Sequence, residues 1–301
     1  MQFVQQMING ITIGAFYSLV ALGYTMVYGV LKLINFAHGD LFMWGAYLGL
    51  TGLNFVLGLV TGASAWVILP TVVVVMATVA LAGGLVERVA YRPLRSAGRL
   101  APVISALGVA FILQSLARNI YGANWKTYPT GITPTGGFQL AQGVRVSVMQ
   151  IIVLAVSFVL MGALYLFVQR TRTGTAMRAV SLDHDTSRLM GIDVNRIIGV
   201  VFLIGPGLGG VAGMIVALYY GSFDFTLGWV FGLKAFIAAI LGGIGNIPGA
   251  MFGGMLLGII ETLGSGYLSP QWKDVIAYVI LILILIFRPT GLLGERVAEK
   301  V

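Results

Sequence analysis

Apolar runs of roughly 20 residues recur along this chain, separated by short polar breaks, and each is about the length an α-helix needs to cross a hydrocarbon core. They fall at residues 7–30, 41–60, 66–86, 102–122, 146–168, 197–219 and 275–287, the last short but dense, "VIAYVILILILIF". An eighth stretch, residues 233–263, is apolar at both ends and interrupted by "GGIGNIPGA". The pattern predicts an all-α polytopic membrane helical bundle of about eight transmembrane segments, including re-entrant or broken helices.

Composition agrees. With 58% hydrophobic and 9% charged residues and a mean hydropathy of +0.96, the chain has more apolar surface than one soluble core hides. The first run has no positive residue before it and is too long for a signal-peptide core, so it is expected to stay as a membrane helix. The absence of cysteine excludes disulfides, thiolate metal sites and cysteine nucleophiles. A net charge of +8 would suggest nucleic acid in a soluble protein. Here it reads as the Arg and Lys excess of cytoplasmic loops, with no nucleic acid partner.

That excess sits in three segments. The first holds Arg88, Arg92, Arg95 and Arg99; the second Arg170, Arg172, Arg178, Arg188 and Arg196; the third Arg288, Arg296 and Lys300. All three, including the C-terminus, are placed in the cytoplasm. The linker "ANWKTYPTGITPTGGFQLAQGVR" and the stretch "GSFDFTLGW" belong outside. The last run must then start outside, so residues 233–263 must enter and leave on the outer face. Two full spans need about 40 residues, which predicts a re-entrant segment with its break near mid-membrane, where polar backbone must be buried in protein or line a cavity.

The stretch "NFAHGDLF" reads as a partner of "NIPGAMF". Asn35 is laid on Asn246, and the Gly-x-x-Phe of Gly39 and Phe42 on that of Gly249 and Phe252, an internal repeat of the kind transporter folds contain. Two readings stand for residues 35–40. They form a broken helix inside the membrane, with the N-terminus of the chain cytoplasmic, or an ordinary interfacial helix start capped by Asn35 or Asp40, with the N-terminus outside. Glycine, 42 of 301 residues, recurs at four-residue spacing (Gly205/Gly209/Gly213, Gly249/Gly253, Gly254/Gly258) and is read as close helix packing.

Enzyme signatures are missing. There is no H-E-x-x-H, no G-x-S-x-G, no paired aspartates for a metal-bound diphosphate, and no nucleotide loop of the Walker A type. The run Asp183, His184, Asp185 is read as a polar face rather than a metal site, and Glu261 and Arg118 as packing or snorkelling residues. The loop "TGTAMRAVSLDHDTSRLMGIDVNRI" mixes Ala176, Met177, Val180, Leu182, Leu189, Met190 and Ile192 with charges, as a short docking helix closed by Gly191 would.

Four stretches carry a resemblance to a known family: "NGITIGAFYSLVALGYTMVYGVLKLINFAHGDLFMWGAY", "ERVAYRPLR", "GTAMRAVSLDHDTSRLMGIDVNRIIGVVFLIGPGLGGVAGMI" and "AAILGGIGNIPGAMFGGMLLGIIE". Over nearly its whole length the chain resembles the LivH-type permease of bacterial branched-chain amino acid ABC importers. The resemblance implies one transmembrane permease domain over residues 1–301, with residues 170–196 as a cytoplasmic coupling loop. It also implies a multi-pass protein of the bacterial inner membrane, paired with a second, LivM-type permease, two cytoplasmic ATPase subunits and a periplasmic substrate-binding protein. The chain itself then needs no cofactor; ATP and Mg²⁺ belong to the ATPases. Leucine, isoleucine or valine would be the cargo. The urea and short-chain amide permeases look much alike and remain the alternative, with a stand-alone secondary transporter or channel as the alternative of another class. Candidate pathway residues are Asn35, His38 and Asn246 for polar contacts, Gly39, Gly243, Gly245 and Gly249 for exposed backbone, and Phe36 and Phe42 for an apolar wall. Candidate coupling residues are Arg178, Asp183, Asp185, Arg188 and Gly191. After Arg178-Ala179 the family loop often carries small or polar residues, and here "DHD" departs from it.

Overall fold

A computed structural model describes residues 2–59, 65–95, 97–98, 100–129, 131–134 and 136–294. Arg99, Arg296 and Lys300, assigned above to the cytoplasm, lie outside the described residues, as does the end of the second apolar run at Val60. Among the described residues the α-helices are α1 Gln2–Leu31, α2 His38–Leu59, α3 Ile68–Val86, α4 Leu100–Tyr121, α5 Val148–Arg170, α6 Arg172–Leu182, α7 His184–Leu189, α8 Val194–Tyr220, α9 Leu227–Gly242, α10 Ile247–Tyr267 and α11 Lys273–Phe287. All but α6, α7 and α9 are long and apolar enough to cross a membrane, α11 together with the helical turn Pro270–Trp272 before it, and α9 is a shorter apolar helix. This is a multi-pass membrane protein.

Chain direction follows from the contacts. α1 runs antiparallel to α10, since Gly10 meets Ile259, Gly14 meets Met255 and Gly29 meets Gly245. The Leu31 end of α1 therefore shares a face with the α9–α10 turn. Arg92, Arg95, His184 and Arg188 lie beside that end around one cleft, and Arg95 donates to Asn195 at the start of α8. We call this the Arg-rich face. The N-terminus lies on the opposite face, where Gln5 accepts from the backbone of Arg145 and Asn9 from Gln150.

The opposite face carries the linker between α4 and α5. Strands β1 (Lys126–Thr127), β2 (Gly137–Ala141), β3 (Val144–Ser147) and β4 (Ser222–Phe223) form the hairpin β2–β3 and the short pair β1–β4. Ser147 and Gln150 make a capping box that starts α5, so the N–H groups of its first turn are satisfied before it enters lipid. Tyr128 donates to the carbonyl of Ala46 at 2.7 Å, and burial pushes its pKa well up.

The core is α1, α8, α9 and α10, with α2 and α3 against α8. Glycine sets the spacing. A Cβ on Gly258 would stand 2.2 Å from the nitrogen of Gly14, and one on Gly213 1.9 Å from the carbonyl oxygen of Phe42. With lipid as apolar as the side chains themselves, such close backbone packing holds helices together where hydrophobic burial cannot.

The 233–263 stretch differs from its expected form. The helices extend beyond the apolar stretch at both ends, so α9 is about 24 Å long and α10 about 31 Å. Its turn is therefore not at mid-membrane. It packs at the Arg-rich end, where Leu292 and Leu293 donate backbone hydrogen bonds to Leu241 and Gly242. The parity argument survives, because the stretch still returns to the face it left.

Candidate functional site

Three constellations concentrate polar groups in this apolar bundle. The first is the start of α2. Lys32, at φ +55°, ends α1, and the chain turns back into the bundle. Asn35 closes an Asx turn, its Oδ1 accepting from the Ala37 N–H at 3.1 Å and from the Tyr91 hydroxyl at 3.0 Å. α2 then begins at His38, which has no exposed surface and lies edge-on to Tyr24 at 4.8 Å between ring centroids. A Cβ on Gly23 would strike the imidazole at 2.1 Å; only glycine leaves room for the ring. Gly23 is eight residues before Leu31, so α2 starts about 12 Å inside the Arg-rich end of α1. Gly39 rests on Gly228 and Gly232 of α9, Phe42 stacks on Phe231 at 5.5 Å, and Phe36 is half-buried against Phe236. Both ring nitrogens of His38 and Nδ2 of Asn35 are buried, with no hydrogen-bond partner within 3.5 Å among the described residues. Of the two readings of residues 35–40, the structure combines parts of each: the N-terminus lies opposite the Arg-rich face, and an asparagine turn leads into the helix start, yet that start is buried in the bundle.

The second is the α9–α10 turn. Gly243 and Gly245 adopt φ +107° and +98°, conformations that favour glycine. Asn246 caps α10 through the Gly249 N–H at 2.9 Å and donates from Nδ2 to the Leu293 carbonyl at 2.8 Å. Asn35 and Asn246 each accept a backbone N–H just ahead of or at a helix start, Asn35 in a turn before α2 and Asn246 as the cap of α10. They do not form one site: Gly245 faces Gly29 and Gly243 faces Gly294, whereas Asn35 and His38 face Tyr91 and Tyr24.

The third is the elbow α6–α7 on the Arg-rich face. Its apolar residues divide between two sides. Met177 and Val180 are buried against the bundle, while Leu182, Leu189 and Met190 are 86%, 87% and 78% exposed. Arg178 donates to the carbonyls of Val168 and Gln169, completing the C-terminus of α5. Asp183 caps α7 through the N–H groups of Asp185 and Thr186, Asp185 pairs with Arg188 at 3.0 Å, and Gly191 ends the elbow at φ +82°. His184 Nε2–H donates to the Val30 carbonyl at 2.7 Å; a carbonyl only accepts, so that nitrogen carries the proton. Each member of the Asp183–Asp185 run is thereby occupied, and no three metal-ligating side chains converge among the described residues. Beside the elbow a cleft of about 900 Å³ is lined by Lys32, Arg92, Arg95, His184 and Arg188. Burial lowers the pKa of Lys32 and of Arg95, the latter opposed by its ion pair with Glu87.

Sequence reasoning missed a buried ion cluster. Lys234 of α9 lies 2.8 Å from Glu261 of α10 and 2.7 Å from Asp274 of α11, and Lys273 lies 3.1 Å from the same Glu261 oxygen. The Tyr17 hydroxyl of α1 donates to that oxygen at 3.1 Å. Glu261, expected as a packing or snorkelling residue, is the fully buried centre of this network. The signal available was a lone lysine inside the apolar run of α9, since an intramembrane charge needs a partner. Arg118, its companion in that expectation, lies over the Phe225 ring at 5.7 Å.

Comparison with known proteins adds the lineage. Residues 6–285 match the family described as "Branched-chain amino acid transport system / permease component". The chain is 42% identical over 303 residues to the high-affinity branched-chain amino acid transport system permease protein BraD of Pseudomonas aeruginosa, covering 99% of this chain and 98% of that one. It is 41% identical over 304 residues to LivH of Escherichia coli, with the same coverage. It is 29% identical to a probable branched-chain amino acid permease LivH of Methanocaldococcus jannaschii over 92% of this chain and 88% of that one. No solved structure matches. With a family match across nearly the whole bundle and relatives of this identity aligned end to end, the chain belongs to the branched-chain amino acid transport system permease family.

Proposed function

We propose that this chain is the permease subunit of an ATP-driven importer of leucine, isoleucine and valine. The observation that carries the reading is end-to-end identity of 41–42% with permeases of high-affinity branched-chain amino acid transport systems. The Arg-rich face, with the C-terminus, is cytoplasmic and the membrane is the bacterial inner membrane, as the bias of arginine supports. A second, LivM-type permease completes the path, two ATPases holding ATP and Mg²⁺ attach on the cytoplasmic face, and a periplasmic binding protein delivers the amino acid opposite.

The elbow supplies the mechanical link. Leu182, Leu189 and Met190 face outward as an apolar knob for the ATPase, while Met177, Val180 and the His184–Val30 hydrogen bond fasten the elbow to the bundle. Arg178 positions it from within. Asp185, Arg188 and Gly191 shape its rim. Movement of the elbow on ATP binding is passed to the end of α1, and through the tight α1–α10 contact to the α9–α10 turn. The pathway runs along α9: Phe36, Phe42, Gly39, Asn35 and His38 at its middle, then Gly243, Gly245, Asn246 and Gly249 at its cytoplasmic end. In this state the Phe42–Phe231 stack and the Gly39–Gly228 contact hold its middle shut.

The test is uptake by the five-subunit assembly in proteoliposomes, with the binding protein loaded in turn with leucine and with urea. Leucine-dependent ATPase activity and uptake are expected. Stimulation by urea alone would transfer the chain to the amide-type importers, and uptake without any ATPase would remove it from this class of machine.

A further inference from the structure

The ion cluster borders a pocket that the transport reading leaves unused. On the face opposite the Arg-rich one, a cavity of about 330 Å³ opens between α1, α9, the start of α11 and the Ser222–Phe223 strand. That volume lies at the low end of the roughly 300–1,000 Å³ usual for small-molecule sites. It is lined by Lys234 and Lys273, by Asp224, and by an apolar wall of Leu227, Val230 and Phe231.

The chemistry of this lining is selective. Lys234 spends two of its three N–H donors on Glu261 and Asp274, and Lys273 spends one on Glu261, so each ammonium retains a donor. Two lysines against Glu261 and Asp274 make the cluster electrically neutral. A ligand that is itself neutral overall, yet carries a carboxylate and an ammonium, adds no uncompensated charge there. A simple anion does, and a simple cation meets Asp224 but leaves the two free lysine donors without an acceptor. Asp224 holds its own loop by accepting from the Thr226 N–H and hydroxyl, which fixes a carboxylate in the lining. Phe231, the floor of the apolar wall, is the ring that stacks on Phe42.

We propose that this pocket binds a zwitterionic amino acid with a branched apolar side chain, its carboxylate at Lys234 and Lys273, its ammonium at Asp224, and its side chain against Leu227, Val230 and Phe231. The assignment rests on the transport reading for the identity of the cargo, and it places a receiving site directly above the Phe42–Phe231 stack. Displacement of Phe231 by the bound side chain then unstacks Phe42 and opens the middle of the path.

The chain lacks cysteine, so Val230→Cys introduces a unique thiol in this subunit, and its alkylation by a membrane-impermeant maleimide is read on the band of this subunit in the intact complex in nanodiscs. With leucine at about ten times its Kd, labelling is expected to slow by about elevenfold. Glycine, lacking the side chain, is expected to protect less. Leu268→Cys, at a position 72% exposed and outside the pocket lining, is expected to label at the same rate with and without leucine. Lys273→Gln is expected to remove the protection and Lys273→Arg to retain it. If Val230→Cys fails to assemble, Leu227→Cys reports on the same wall. Labelling indifferent to leucine, in a complex that takes leucine up, overturns the pocket and leaves the transport reading standing. Protection in a complex that takes up no leucine overturns the transport reading and supports the pocket; loss of both overturns both.

Discussion

Replacing the partners of the Lys234–Glu261 pair by leucine, singly and together, probes the reasoning about the buried charges most directly. Glu261 is fully buried and the Lys234 side chain is 8% exposed. Removing one partner of such a pair leaves the other ionised away from water, at a cost of about 3–5 kcal/mol. Each residue keeps a second ion, however: Lys234 has Asp274 at 2.7 Å, and Glu261 has Lys273 at 3.1 Å. The expected loss for Lys234→Leu or Glu261→Leu is therefore at the low end, about 3 kcal/mol each. The double replacement leaves Lys273 and Asp274, whose side chains are 34% and 64% exposed and can be hydrated. It should cost less than the sum of the singles by about 2 kcal/mol, within the usual range for coupled neighbours. The assay is reversible unfolding in mixed micelles with increasing SDS, followed for the wild type, both singles and the double. Additivity within about 0.5 kcal/mol, or singles that each cost less than about 1 kcal/mol, would show a hydrated pair and refute the reasoning.

Three further outcomes are expected. Gly258→Leu drives a side chain into the α1 backbone, where even the Cβ would lie 2.2 Å from Gly14; a loss of about 3 kcal/mol or more is expected in the same titration, whereas Gly108→Ala, with nothing within 4 Å, should stabilise by roughly 0.5–1 kcal/mol. His184→Ala removes the hydrogen bond to Val30, worth about 1 kcal/mol; leucine-stimulated ATPase should fall while the ATPase still copurifies, and unchanged stimulation would detach the elbow from α1. Leu182→Asp with Leu189→Asp puts two charges on the exposed knob, so copurification of the ATPase should be lost while this chain remains folded and inserted.

Much of the architecture was readable along the chain. The spans were, because lipid forces each crossing segment to satisfy its own backbone hydrogen bonds, which writes its length into the apolar run. The Gly243–Asn246 break was, because glycine and Pro248 cannot continue a helix there. So was the packing role of Gly254 and Gly258, which meet Ser18 and Gly14 of α1. The apolar content of the elbow was visible, but not its division into a buried and an exposed side. The depth of the α9–α10 turn was misplaced, because both helices run on past residues 233–263, α9 back to Leu227 and α10 on to Tyr267.

What the sequence determined by itself was local: which segments are helices, where they break, and which segments are rich in arginine. These depend on hydrogen bonds and transfer free energies within one segment. What only the tertiary structure decided was partnership. Tyr17 and Glu261 are 244 residues apart, and Lys234 and Glu261 are 27 apart on separate helices. His38 acquires its setting from glycines on α1 and α8. Such contacts depend on how close two backbones come, and in lipid that distance is set by small residues on both helices at once, information that no single stretch of the chain contains.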